Sequence, residues 1–187
     1  MNKTFNELER LCALQRHLQR KAATEEGLQT IHLEIIQYLA LCNRYSNTTQ
    51  ALADYLGVTK SSISQSLGVL ENKKFVKRVQ DNKDLRVFHL HLTAKGRLLT
   101  RRIEDSLSLD LPPLALVQTA LAGLLRTLQT KNSMKSFGLC LSCRFHQPRD
   151  EHSFQCGLTG EVLNQEESQM LCREHESEDL LTAECPE

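Results

Sequence analysis

The chain has 187 residues, 40% of them hydrophobic and 25% charged, with a formal net charge of zero and seven cysteines. That length allows one cored domain plus a small appendage. No run approaches the roughly 18 apolar residues of a membrane span, and the first dozen residues lack the apolar stretch of a signal peptide, so a cytoplasmic chain with no membrane partner is expected.

Phe5, Leu8, Leu11, Cys12, Leu14 and Leu18 recur at helical spacing, predicting an amphipathic first helix to about Lys21. Gly27 interrupts it. Ile31, Leu33, Ile35, Ile36, Leu39, Ala40 and Leu41 then crowd a second helix too apolar for a surface position. Asn47-Thr48-Thr49 offers an N-cap for a short third helix that Gly57 stops. Thr59 or Ser61 can cap a fourth, with Ile63, Leu67 and Leu70 facing inward and Val58 available to fill the gap at the turn.

After Lys73-Lys74 the period changes from helical to alternating. Phe75, Val76 and Val79 make one strand and residues 85–92 another, joined by the polar stretch 80–84. Thr93 caps a helix from Ala94 to about Asp105, and Pro112-Pro113 opens another from Leu114 to about Thr130. Helix, glycine turn, helix and hairpin is the order of a winged helix-turn-helix. The expected fold is mainly α with a small β-hairpin wing. Its parts are a dimerisation helix at 1–27, a winged helix-turn-helix at 28–92, dimerisation helices at 93–136, a small Cys-rich module at 137–176 and an acidic flexible tail at 177–187.

Charge is distributed unevenly along this order. Residues 57–102 hold eleven Lys or Arg against three acids, whereas residues 140–187 hold three Arg against eleven acids. One region is suited to a polyanion and the other is not. The fourth helix starts with Lys60, Ser61, Ser62, Ser64 and Gln65, short donors and acceptors able to reach base edges in a major groove. Lys83 and Arg86 at the hairpin tip could reach backbone or minor groove.

The run TTQALADYLGVTKSSISQSLGVLENKKFVKRVQDNKDLRVFHLHLTAKG resembles the MarR family of transcriptional regulators. The correspondence covers the approach to the wing (Leu67 to Leu70, Lys74-Phe75-Val76, Arg78), a wing pair Asp84 and Arg86, and an exit through Leu90, Thr93 and Gly96. The wing reads Lys83-Asp84-Leu85-Arg86, with Leu85 where the family commonly has a second arginine. Phe75 stands where Gly or a small apolar residue is commoner. The resemblance implies that Asp84 orients Arg86 toward the minor groove. It further implies a homodimer on double-stranded DNA with a palindromic operator, and a regulator that is a repressor and not an enzyme. The alternative is a metal-stapled winged-helix adaptor that binds proteins and reads no DNA sequence.

Four cysteines cluster near the C-terminus. Cys140 and Cys143 form CxxC, followed by Cys156 and Cys172. Clustered thiols in a reducing compartment suggest a metal site. Cys140, Cys143, Cys156 and Cys172 are the first-choice ligands, with His175 the alternative to Cys156. Zinc suits such a set, and an iron–sulfur cluster is the other option. So polar a module would gain stability from the metal, as a structural staple or as a sensor of metal or oxidation. Its influence on the winged helix is expected to pass through the helices that join them. His146 and His152 fall in loops, Cys12 and Cys42 on apolar helix faces, and Cys185 in the tail. A thiol oxidoreductase would want its CxxC in a βαβ setting, which the preceding long helix does not provide.

Overall fold

A computed structural model describes residues 3–82, 84–107, 115–151 and 153–177. The expectations for Lys83, Pro112-Pro113, His152, Cys185 and the tail beyond Ser177 lie outside these residues. Helices α1 (Lys3–Glu25), α2 (Thr30–Leu41), α3 (Thr49–Leu56) and α4 (Lys60–Asn72) precede the antiparallel hairpin of β1 (Val76–Gln80) and β2 (Phe88–Leu92). Then come α5 (Ala94–Leu107) and α6 (Ala115–Lys131). The fold is that of a winged helix-turn-helix, mainly helical with a two-stranded wing.

α2 is the hub, packing against α1, α3, α4, α5 and β2. Its Leu33, Ile35 and Ile36 are fully buried, whereas Leu41 at its end is half exposed. Thr48 accepts the Ala51 amide and caps α3. Gly57 ends that helix at φ +65°, where an L side chain is strained, and the Val58 amide reaches back to the Ala53 carbonyl at 3.1 Å. Val58 does not fill the gap between helices; it stays exposed, and the backbone bonds hold the turn.

Thr59 caps α4 through the Ser62 amide. Ile63, Leu67 and Leu70 are completely buried, so truncating any one to Ala would cost about 2–5 kcal/mol. α4 closes through Lys74, whose φ is +61°. The backbone position that would favour glycine is therefore Lys74 and not Phe75. Phe75 is buried in the core with the Lys95 ammonium 4.1 Å from its ring centre. Thr93 accepts the Gly96 amide to start α5, and a Cβ at Gly96 would lie 2.4 Å from the Phe75 carbonyl oxygen. Glycine is needed there by close approach of backbone.

The C-terminal module has more regular structure than its polar sequence suggests. β3 (Gly138–Leu139) pairs with β7 (Leu171–Cys172), and β4 (His146–Pro148), β5 (Ser153–Cys156) and β6 (Val162–Asn164) form a three-stranded sheet. Asn164 caps the short α7 (Gln165–Ser168) through a reciprocal pair with Glu167. His146 lies in β4 and not in a loop, since it pairs with Cys156 in the sheet register. Leu163 is the module's most deeply buried apolar side chain.

Candidate functional site

The first surface is the exposed face of α4 and the wing. Lys60, Ser61, Ser62, Ser64 and Gln65 are all exposed on one end of α4 while its opposite face is locked in the core. The Ser61 and Ser62 hydroxyls each lie 2.9 Å from the Thr59 hydroxyl, so the cap also orders the first turn of this face.

The wing is held by its acids. The Asp81 carboxylate accepts the Asp84 amide at 2.7 Å and faces the His89 ring at 3.1 Å. Asp84 meets Arg86 fork to fork, with Nε to Oδ1 and an Nη to Oδ2 both at 3.0 Å. That ion pair lowers the Asp84 carboxyl and raises the Arg86 guanidinium from their ordinary values. Arg86 itself is 90% exposed, a cation presented at the tip with its direction fixed. Not every base of this region points to solvent unpaired. Arg78 pairs with Glu71 at 3.0 Å, and Arg102 pairs with Glu26.

The second feature is a thiol pocket. Cys140, Cys143, Cys156 and Cys172 all line one cavity of about 40 Å³, with Asn43 and Leu163 among the other walls. Each contributing segment is a tight turn. The Cys143 amide returns to the Cys140 carbonyl at 3.0 Å, the Gly160 amide to Cys156 at 2.7 Å and the His175 amide to Cys172 at 3.4 Å. Backbone and side-chain N–H groups address the sulfurs: Asn43 Nδ2 lies 3.3 Å from Cys140 Sγ, and the Glu176 amide 3.5 Å from Cys143 Sγ. A hydrogen bond shared by Cys140 and Cys172 pushes the first thiol up and the second down. Among the described residues, no three His, Cys, Asp or Glu side chains already stand in a ready-made metal-holding group. An ion would have to draw the turns together.

His175 is placed differently from the cysteines. Its ring is buried with Nδ1 3.0 Å from the Ser136 hydroxyl and Nε2 3.0 Å from the Ser142 hydroxyl, and a Cβ on Gly138 would strike it at 2.4 Å. Both ring nitrogens are engaged in joining the two ends of the module. His146 likewise faces the Ser168 hydroxyl at 3.0 Å. Cys42 is a core residue whose thiol burial pushes up to about 12, whereas Cys12 on α1 is only half-buried.

Sequence reasoning overlooked the contact between module and winged helix. Cys42 and Leu171 form a parallel bridge, and the Asn43 amide donates to the Leu171 carbonyl at 2.9 Å. Arg173 Nε and an Nη each meet Asp54 of α3 at 2.7 Å, while the Arg173 amide donates to the Ser46 hydroxyl at 2.9 Å. Arg44 reaches Glu167 at 2.8 Å, and Phe137 stacks edge-on against Tyr55 at 5.1 Å. The module therefore grips the α2–α3 turn directly, a contact beyond the joining helices through which its influence was expected to pass.

Residues 28–96 match the family model described as a winged helix DNA-binding domain. No curated protein matches the chain. Among solved structures, the transcriptional regulator PA3341 aligns over 68% of this chain and 98% of its own, with 24% identity and a TM-score of 0.55. A MepR mutant from a multidrug-resistant clinical isolate of S. aureus aligns over 70% of this chain and 99% of its own, with 22% identity and a TM-score of 0.52. At that identity the likeness is one of fold. No helix among the described residues is long and apolar enough to cross a membrane.

Proposed function

We propose that the protein is a DNA-binding transcriptional regulator that reads duplex DNA with α4 and the wing. The observation that carries this is the pairing of Asp84 with Arg86 beside an α4 whose exposed end is entirely short polar and basic. A wing arginine pre-oriented by a carboxylate loses little side-chain entropy on meeting a phosphate or a narrow minor groove. Lys60, Ser61, Ser62, Ser64 and Gln65 then face the major groove, with Arg86 on the flanking groove. The match to a winged helix DNA-binding domain and the fold of a transcriptional regulator support the same reading.

The working form is a homodimer on a palindromic site, and repression is the action this fits, by occupancy of the operator. Val117, Leu121, Leu125 and Leu128 are 43–56% exposed along α6 at spacings of four, four and three. Such a stripe on a lone chain calls for a second copy. The four module cysteines, which line one cavity, are the ligand set this reading assigns to a zinc ion, with an iron–sulfur cluster the alternative.

Duplex binding under salt titration tests the reading. Affinity for a duplex selected from a random pool should fall steeply and linearly in log–log form as salt rises. Binding that is absent, or indifferent to salt, would leave the protein-binding adaptor as the better description.

A further inference from the structure

Asn43 stands where two systems meet. Its side chain is 1% exposed, with Nδ2 donating to Cys140 Sγ and Oδ1 accepting the amides of Tyr45 and Ser46 at 3.2 and 3.0 Å. One residue thus joins the thiol pocket to the folded-back α2–α3 turn. That turn in turn holds the reading elements. Ser46 accepts the Tyr38 hydroxyl through its carbonyl and the Arg173 amide through its hydroxyl. The Asn47 carbonyl accepts the Leu90 amide of β2 at 2.8 Å, and its side-chain oxygen lies 2.5 Å from His89. Thr48 caps α3, and Asp54 on α3 is clamped by Arg173.

We propose that a thiophilic divalent cation, zinc by ligand type, bound by Cys140, Cys143, Cys156 and Cys172 fastens the module to the α2–α3 turn through Asn43 and thereby raises DNA affinity. The proposal rests on the metal and DNA readings given above and adds the link between them. The physical basis is the change in the sulfur. A thiol is a weak acceptor, whereas a metal-bound thiolate is an anion that binds N–H donors firmly. Coordination also has to gather three separate turns, one of which carries β7 and with it Leu171 and Arg173. Both effects tighten the turn that positions α3 and the wing. A turn already ordered leaves less conformational entropy to be lost when DNA binds. By linkage, DNA must raise metal affinity by the same factor.

The test uses the full chain, reduced and stripped of metal. Addition of Co2+ should give the intense near-ultraviolet band of cobalt–thiolate coordination at one ion per chain. Addition of Zn2+ should slow amide exchange in residues 46–56 and 88–92. It should also raise affinity for a duplex selected from a random pool at least tenfold. Asn43→Asp keeps the Oδ1 acceptor and removes the donor. It should retain the cobalt band while the zinc effect on exchange and affinity falls below about threefold. Arg173→Gln, which leaves the pocket untouched and serves if Asn43→Asp does not fold, should also weaken the effect.

The possible failures separate. Absence of a thiolate band overturns the metal reading and the link together. A normal band with unchanged exchange and DNA affinity, or an undiminished zinc effect in folded Asn43→Asp (in Arg173→Gln where Asn43→Asp does not fold), overturns the link alone. A zinc effect on exchange without any duplex binding overturns the DNA reading, and with it the claim that the latch sets affinity.

Discussion

The wing arginine illustrates how much a single side chain can carry when its neighbour is fixed. Arg86 is almost wholly exposed yet held at both Nε and Nη by Asp84. Its contribution to binding should be a phosphate or groove contact that is the same on all sequences. Arg86→Ala is therefore expected to weaken every duplex alike and to lower the salt slope by about one. Gln65→Ala should instead relax discrimination at one base step by about 1–3 kcal/mol and leave the slope unchanged. Fluorescence anisotropy on a panel of single-base variants across salt separates the two, and identical profiles for both variants would contradict the assignment. The Asp84–Arg86 pair was legible through the resemblance of the wing to the MarR family, and a relation two residues apart is short enough for such a motif to carry. Gly96 was legible as a marker too, although its reason, the Phe75 carbonyl against it, is not. Asn43 and Arg173 were invisible, because their partners lie 97 and 119 residues away. No local periodicity encodes such contacts.

At the scale of elements, the start of α2 shows a buried histidine used as an acceptor. His32 Nδ1 receives the Gln29 amide at 3.1 Å. That bond requires a neutral ring. Burial, and after it the charge of Lys73, hold the His32 pKa below its ordinary value. The unfolded chain therefore takes up this proton at a higher pH than the folded one. Stability from the bond is complete above about pH 6.5 and declines as pH falls below that toward the folded value. His91, His146 and His175 are lowered mainly by burial as well and add to the same trend. His32→Gln keeps an acceptor that does not titrate, so the unfolding free energy should fall less steeply between pH 7.5 and 5.5 than in the parent. Equal slopes in urea melts would remove His32 from the account. Helix boundaries in this half of the chain were readable from caps and glycine, which act over three or four residues. The module's short strands were not, since two- and three-residue strands carry too few positions to show a period.

For the whole molecule the open question is what covers α6. Val117, Leu121, Leu125 and Leu128 are exposed along it, and among the described residues none from α6 belongs to the buried core of the winged helix. α1 presents Phe5, Leu11 and Leu14 in the same half-exposed state. A pair of copies joined along these faces would remove both apolar surfaces from water at once, at roughly 25 cal/mol per Å2 buried. It would also fix two α4 helices at one separation, which is what a palindromic site reads. Leu121→Glu combined with Leu125→Glu places two charges in that contact without touching the winged-helix core. Light scattering should then report a dimer for the parent and a monomer for the double variant, while the helical content of each chain is retained. Affinity for a two-half-site duplex should drop at least tenfold, and affinity for a single half-site should stay within about threefold, because only the coupling between sites is lost. A double variant that remains dimeric would place the interface elsewhere, with the α1 face the next surface to alter. A monomeric variant with undiminished binding to the paired site would mean that one chain reads its target alone.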